Sequence, residues 1–150
     1  MLHQLASIAL FDFWVANEDR NINNANLMYD ISKENFVPID YGCILNTATF
    51  DYPLSQLTST DSILSSDLFS HLISNRVKKW DRLLNDLNQY FTEATVLCRR
   101  NMSSIINQMP DNWNLPKEMI VNKTSELFEG KWLNDVWNNF VECLNENLTR

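Results

Sequence analysis

Glycine is almost missing from this chain: its 150 residues hold two, Gly42 and Gly130. That excludes the glycine-rich loops that cradle phosphates with backbone N–H groups. Cysteine is scarce too, and Cys43, Cys98 and Cys143 are odd in number, far apart and in no Cys-x-x-Cys pair. Neither a disulfide framework nor a zinc site fits that pattern. The two histidines, His3 and His71, have no serine or cysteine partner at a catalytic spacing, so surface or core roles are expected for them. Positive charge is in deficit: 12 basic residues against 19 acidic give a formal charge of −7. Such a chain repels a phosphate backbone, which argues against nucleic acid as a partner. No run approaches the roughly 20 apolar residues that a membrane helix needs. The N-terminus lacks the basic region and small-residue cleavage site of a secretory signal. With unpaired cysteines, these absences point to a reducing cytoplasm, and the Asn-x-Ser/Thr triplets at Asn101, Asn122 and Asn147 then reflect only an asparagine-rich composition.

Apolar material is plentiful. Hydrophobic residues make up 45% of the chain, with five tryptophans and eight phenylalanines against 21% charged residues. One globular domain spanning 1–150 is expected, able to bury on the order of 70% of its unfolded surface. Residues 2–16 are apolar nearly all round, the mark of a helix buried mid-fold. A polar loop over 17–24 precedes two β-like runs, 27–31 and 36–40, joined by the turn-rich 32–35, which reads as a hairpin. Pro38 confines the second run to an edge or to its last residues. From residue 62 onward the periods are helical. A helix over 62–77 is expected, capped by Ser62 or Asp61, then a long one over 81–109 that Pro110 and Pro116 stop. A helix opening at Pro116 should end on a Gly130 C-cap, and a last helix over 132–144 carries one apolar stripe, read as packing. Arg76, Lys78, Lys79 and Arg82 read as a solvated helix end. Trp80, Trp113, Trp132 and Trp137 are expected in the core. Core positions are also favoured over a nucleotide pocket for Tyr29 and Tyr41.

The chemistry-bearing residues concentrate in "NEDRNINNANLMYDISKENFVPIDYG", residues 17–42. Asp19, Asn24 and Asp40 each lie where a buried element meets a loop, so a rigid scaffold can present them. Phosphoryl transfer needs one aspartate to orient or deprotonate the attacking hydroxyl, with an asparagine and a second aspartate holding magnesium. Gly42 is expected to allow the backbone turn that aims Asp40 inward. The bland alternative makes Asp19 and Asn24 turn and capping residues in an asparagine-rich loop, with 40–42 an ordinary turn.

The order of buried helix, "NEDRNINNANL", hairpin, "PIDYG" and helical remainder resembles the C-terminal lobe of a protein-kinase-like fold, most closely the HipA-like serine/threonine kinases of bacteria. In that family the catalytic loop typically reads Asn-Thr-Asp-Arg-His before a metal-binding asparagine. Here Glu18 stands at the threonine and Asn21 at the histidine. The resemblance implies Asp19 as catalytic aspartate, Asn24 and Asp40 as magnesium ligands, and ATP as phosphate donor. It implies a mainly α fold in which one small hairpin carries the catalytic-loop and metal-aspartate segments. It covers half of a kinase: the 150 residues hold no strand lysine or glycine-rich loop of an N-lobe, so activity from this half alone is not expected. An N-lobe or an antitoxin-like protein is the implied partner, and a catalytically inactive, pseudokinase-like interaction module is the other reading. The surface facing a missing N-lobe, together with the first helix, is expected to form a large apolar patch.

Overall fold

The computed structural model describes residues 1–48, 52–73, 80–114 and 116–148. It is mainly helical, with one two-stranded antiparallel sheet among the described residues. Helix α1 (Leu2–Val15) is the centre. Its side chains Leu5, Ala6, Ala9, Leu10 and Phe13 are buried on successive faces, as an all-round apolar sequence demands. Helices α3 (Asp67–Ile73), α4 (Trp80–Asn107) and α6 (Gly130–Leu148) pack around it, with α5 (Lys117–Glu126) against α4. Phe13 meets Phe140 edge to face at 5.8 Å, and Trp14 meets Phe91 and Phe128 at 6.2 and 5.6 Å. Burying a large apolar side chain in this way stabilises the fold by about 1.5–3 kcal/mol relative to exposure. The indoles are satisfied as well: Trp14 Nε1 donates to Leu127 O at 2.8 Å and Trp132 Nε1 to Trp14 O at 3.0 Å.

Because its own chain covers α1, the helix contributes little to any apolar patch, contrary to expectation. The exposed apolar residues near the site include instead Ile22, Met28, Tyr29 and Ile31, in the loop after α1 and on the hairpin, and Ile39 and Tyr41 beside Asp40.

The hairpin comprises β1 (Leu27–Asp30) and β2 (Asn35–Pro38), registered with Leu27 opposite Pro38 and Asp30 opposite Asn35. Pro38 is the last residue of its strand, where a missing N–H does not interrupt the ladder. The turn is set by Asp30, whose Oδ1 accepts the N–H groups of Ser32 and Lys33. Gln4 fastens the hairpin to α1 through two bonds to one residue, donating Nε2 to Phe36 O and accepting the Phe36 N–H.

Several expectations are corrected. Residues 59–61 and 63–65 are short 3₁₀ turns, with Ser62 capping the second and Ile63 and Leu64 fully buried. The helix proper starts only at Asp67, where the Ser66 hydroxyl accepts the Phe69 N–H. Gly130 opens α6 and does not cap α5, which ends at Glu126. Trp113 is 62% exposed and outside the core, and Tyr29 and Tyr41 are exposed at 43% and 36%. Of the basic cluster, Arg76, Lys78 and Lys79 lie outside the described residues, while Arg82 is solvated and reaches Asp86 one turn on. The apolar stripe of α6 packs inward through Val136, Phe140 and Leu144, as read from its period. All three cysteines are free. No described helix is long and apolar enough to cross a membrane.

Candidate functional site

Helix α1 ends on Ala16, which takes a left-handed conformation (φ 50°) normally left to glycine. The turn lets the Asn17 N–H return to Asp12 O at 2.9 Å and directs the chain into the loop that carries Asp19. That loop is organised by a residue within α1. Asp12, 2% exposed, accepts Arg20 Nε at 2.9 Å on Oδ2 and Asn17 Nδ2 at 2.8 Å on Oδ1. Arg20 is fully buried. Its Nη1 donates to Ala25 O at 3.3 Å, to Ile39 O at 3.2 Å and to Asn26 O. Its guanidinium lies 4.9 Å from the centre of the Tyr41 ring, a cation–π contact. Nη2 has no hydrogen-bond partner among the described residues.

One side chain thus touches the end of α1, the loop and the residues flanking Asp40. Ile39 closes the connection from the other side, donating its N–H to Asn26 O at 2.9 Å.

Burial pushes the Asp12 carboxyl up from 3.8 to about 7, outweighing the Arg20 charge and the hydrogen bonds from Asn17 and Arg20 that pull it down. A raised folded-state value means that the folded protein holds this proton more tightly than the unfolded chain. The stability it contributes is therefore full below pH 4, declines as pH rises, and is gone above about 7. The stability difference between the wild type and Asp12→Asn, followed by urea unfolding, should accordingly shrink from pH 4 to pH 7 and then level off. A difference that stays flat across that range would contradict the assignment.

The three residues singled out from the sequence are placed as follows. Asp19 accepts Asn24 Nδ2 on Oδ1 at 3.0 Å and Asn26 Nδ2 on Oδ2 at 2.7 Å. Because the Asn24 amide nitrogen is the donor that faces Asp19, its carbonyl oxygen Oδ1 points away and is left free of donors among the described residues. Asp40 is exposed and strained, with φ 55°. Gly42 does not supply the turn that was expected of it, since neither glycine has positive φ. Its use is proximity: Gly42 N–H donates to Asp40 Oδ1 at 3.2 Å, and a Cβ at position 42 would sit 3.3 Å from that oxygen. Asp40 Oδ2 remains without a donor among the described residues.

Asp19 and Asn24 are in direct contact, whereas Asp40 is tied to their loop through the backbone of its neighbour Ile39. The free oxygens of Asn24 and Asp40 suit magnesium, which takes one or two protein ligands and fills its remaining positions with water and phosphate oxygens. A closed metal cage is not present: no group of three or more His, Cys, Asp or Glu side chains in ligating reach occurs among the described residues.

Beyond Asp40 the chain enters α2 (Ile44–Ala48), which is not a regular helix. Leu45, Asn46 and Thr47 all have φ between 50° and 62°, a left-handed turn that costs L-residues about 1–2 kcal/mol each. Further on, Lys123 and Glu126 of α5 hold the returning chain through Tyr52 O and the Leu54 N–H.

Sequence reasoning missed Asp12, Asn17, Arg20 and Asn26. A signal existed for the first of these. Asp12 is the one acidic residue in a mostly apolar helix, and a buried carboxylate demands a cationic or hydrogen-bonding partner nearby.

A family model described as HipA-like kinase matches residues 2–138. No curated protein and no solved structure gives a match.

Proposed function

We propose that this chain, which belongs to the HipA-like kinase family, is the C-terminal lobe of a serine/threonine protein kinase that transfers phosphate from ATP once an N-lobe completes the cleft. The observation that carries the reading is the orientation of Asn24. Its amide nitrogen is committed to Asp19, so its oxygen is turned away from the base and is left to a cation. Asp19, held by two amides, is oriented to accept the proton of an acceptor hydroxyl. Asp40 would supply the charged ligand, its backbone steadied by Ile39 and Arg20. Magnesium bound there would neutralise charge developing on the phosphate oxygens. Residues 17–42 contain two cations, and both are committed: Arg20 is buried against Asp12, and Lys33 lies 3.9 Å from Asp30 at the hairpin tip. The positive clamp on the phosphates must then come from outside this segment, which is why an N-lobe or another protein is part of the proposal. Three free thiols fit a cytoplasmic setting.

An inactive, pseudokinase-like interaction module is the second reading, favoured by the exposure of Met28 (54%) and Ile31 (82%) on the hairpin. The two diverge on metal-nucleotide binding. Calorimetric titration of Mg-ATP should give binding that requires magnesium and disappears in Asp40→Ala. Asp40→Asn is the cleaner control, because asparagine tolerates positive φ while lacking the charge. Affinity that is unchanged in both variants would overturn the metal assignment and favour the interaction module.

A further inference from the structure

Glu18 adjoins Asp19, yet its side chain leaves the loop and reaches the chain beyond Asp40. Oε1 accepts Asn46 Nδ2 at 2.7 Å and Oε2 accepts Thr47 Oγ1 at 3.1 Å. These partners, 28 and 29 residues away in sequence, lie in the left-handed turn. Three consecutive residues with positive φ and no glycine persist only where their surroundings over-determine them. Leu45 contributes by burial, at 6% exposed. Asn46 contributes its N–H to Ala16 O at 3.0 Å, and its Oδ1 accepts the Ser55 N–H at 2.9 Å. Asn46 Nδ2 also reaches Ser55 O at 3.3 Å, and Glu18 adds a link from the Asp19 loop, with both carboxylate oxygens engaged.

The consequence follows from adjacency. The Asp19 carboxylate holds Asn24 and Asn26, the Glu18 carboxylate holds Asn46 and Thr47, and the two share one stretch of backbone. A shift of one set is therefore opposed by the bonds of the other. We propose that Glu18 is a positioning residue that fixes the strained turn after Asp40 to the loop bearing Asp19. The chain beyond the metal aspartate is thereby set relative to the base. The purpose of this tether rests on the kinase reading, but its existence rests on the hydrogen bonds alone.

Hydrogen exchange of the full chain, read by mass spectrometry at residues 45–47 and 55, tests it. In Glu18→Ala those amides should exchange about tenfold faster or more, because the turn loses the bonds that oppose its strain. In Glu18→Gln, whose carbonyl still accepts from Asn46 and whose amide can donate to Thr47 Oγ1, exchange should stay within about threefold of wild type. Thr47→Val removes one of the two bonds at nearly constant volume, and it decides the matter should Glu18→Ala fail to fold. Unchanged exchange in Glu18→Ala or in Thr47→Val, or a Glu18→Gln variant as fast as Glu18→Ala, would overturn the assignment. A wild type that binds no Mg-ATP would count against the kinase reading, while the exchange comparison would still decide the role of Glu18.

Discussion

Replacing Arg20 by alanine should destabilise the protein by about 3–5 kcal/mol, the usual cost of removing one partner of a buried ion pair. For a chain of this size, that corresponds to a fall in the thermal midpoint of roughly 10 °C. Two losses combine. The Asp12 carboxylate, 2% exposed, is left without its cation, and the carbonyls of Ala25, Asn26 and Ile39 lose a donor. The defect should depend on pH in a defined direction. Without the guanidinium, Asp12 moves further above its value of about 7 and takes up a proton, so the variant suffers less at pH 5 than at pH 8. Circular dichroism melts at the two pH values check both statements. An Arg20→Ala protein that melts within a degree or two of wild type at pH 8 would show that the pair organises nothing.

Asp19→Asn should weaken magnesium-dependent nucleotide binding by about 10–100-fold, although Asp19 is not itself a proposed ligand. The reason is hydrogen-bond bookkeeping. Wild-type Asp19 offers two acceptors to two amide donors, from Asn24 and Asn26. An asparagine offers one acceptor and one donor, so one of those amides must rotate to present its oxygen to the new NH₂ group. Where Asn24 rotates, its Oδ1 turns from the cation to position 19. Titrating Mg-ATP and metal-free ATP separately isolates the effect: the magnesium-dependent part should fall and the metal-free part should not. Equal loss of both would mean that Asp19→Asn had disturbed the loop as a whole.

Much of this arrangement was legible in the sequence because local rules and tertiary structure agree there. The all-round apolar α1, the hairpin with Pro38 at its strand end, and the interval from Asp19 to Asn24 each follow from patterns a few residues long. Where the reading failed, two local rules competed or a distant partner decided. Gly130 stands between two helices and satisfies a C-cap pattern for one, while the chain uses it to begin the other. Residues 63–65 have helical spacing, yet the successive caps at Ser62 and Ser66 divide the segment into a 3₁₀ turn and a short helix. Trp113 follows the helix breaker Pro110 and sits on a surface turn, where it is 62% exposed. Arg20 looked like one more charge in a polar loop. Its burial depends on Asp12 eight residues earlier and on carbonyls up to Ile39, which no periodicity encodes. The same holds for Glu18, whose partners only the folded chain brings near.

The site therefore has two tiers. Asn24 and Asp40 each keep one oxygen without a donor among the described residues, Asp19 has both of its oxygens held by amides, and behind them Asp12, Arg20 and Asn26 steady the loop that carries them. Preorganised support of this kind is what a phosphoryl-transfer site requires, since its catalysis is mostly positioning and electrostatics.

The most direct test of the central claim, that Asn24 and Asp40 hold a metal, is paramagnetic broadening of amide resonances in the labelled chain on titration with Mn-ATP. The account predicts that the signals of Asn24, Asp19 and Asp40 broaden first, those of α6 stay sharp, and excess Mg-ATP reverses the effect. Broadening centred elsewhere, for instance at Asp111 and Glu118, or none at all, would contradict it.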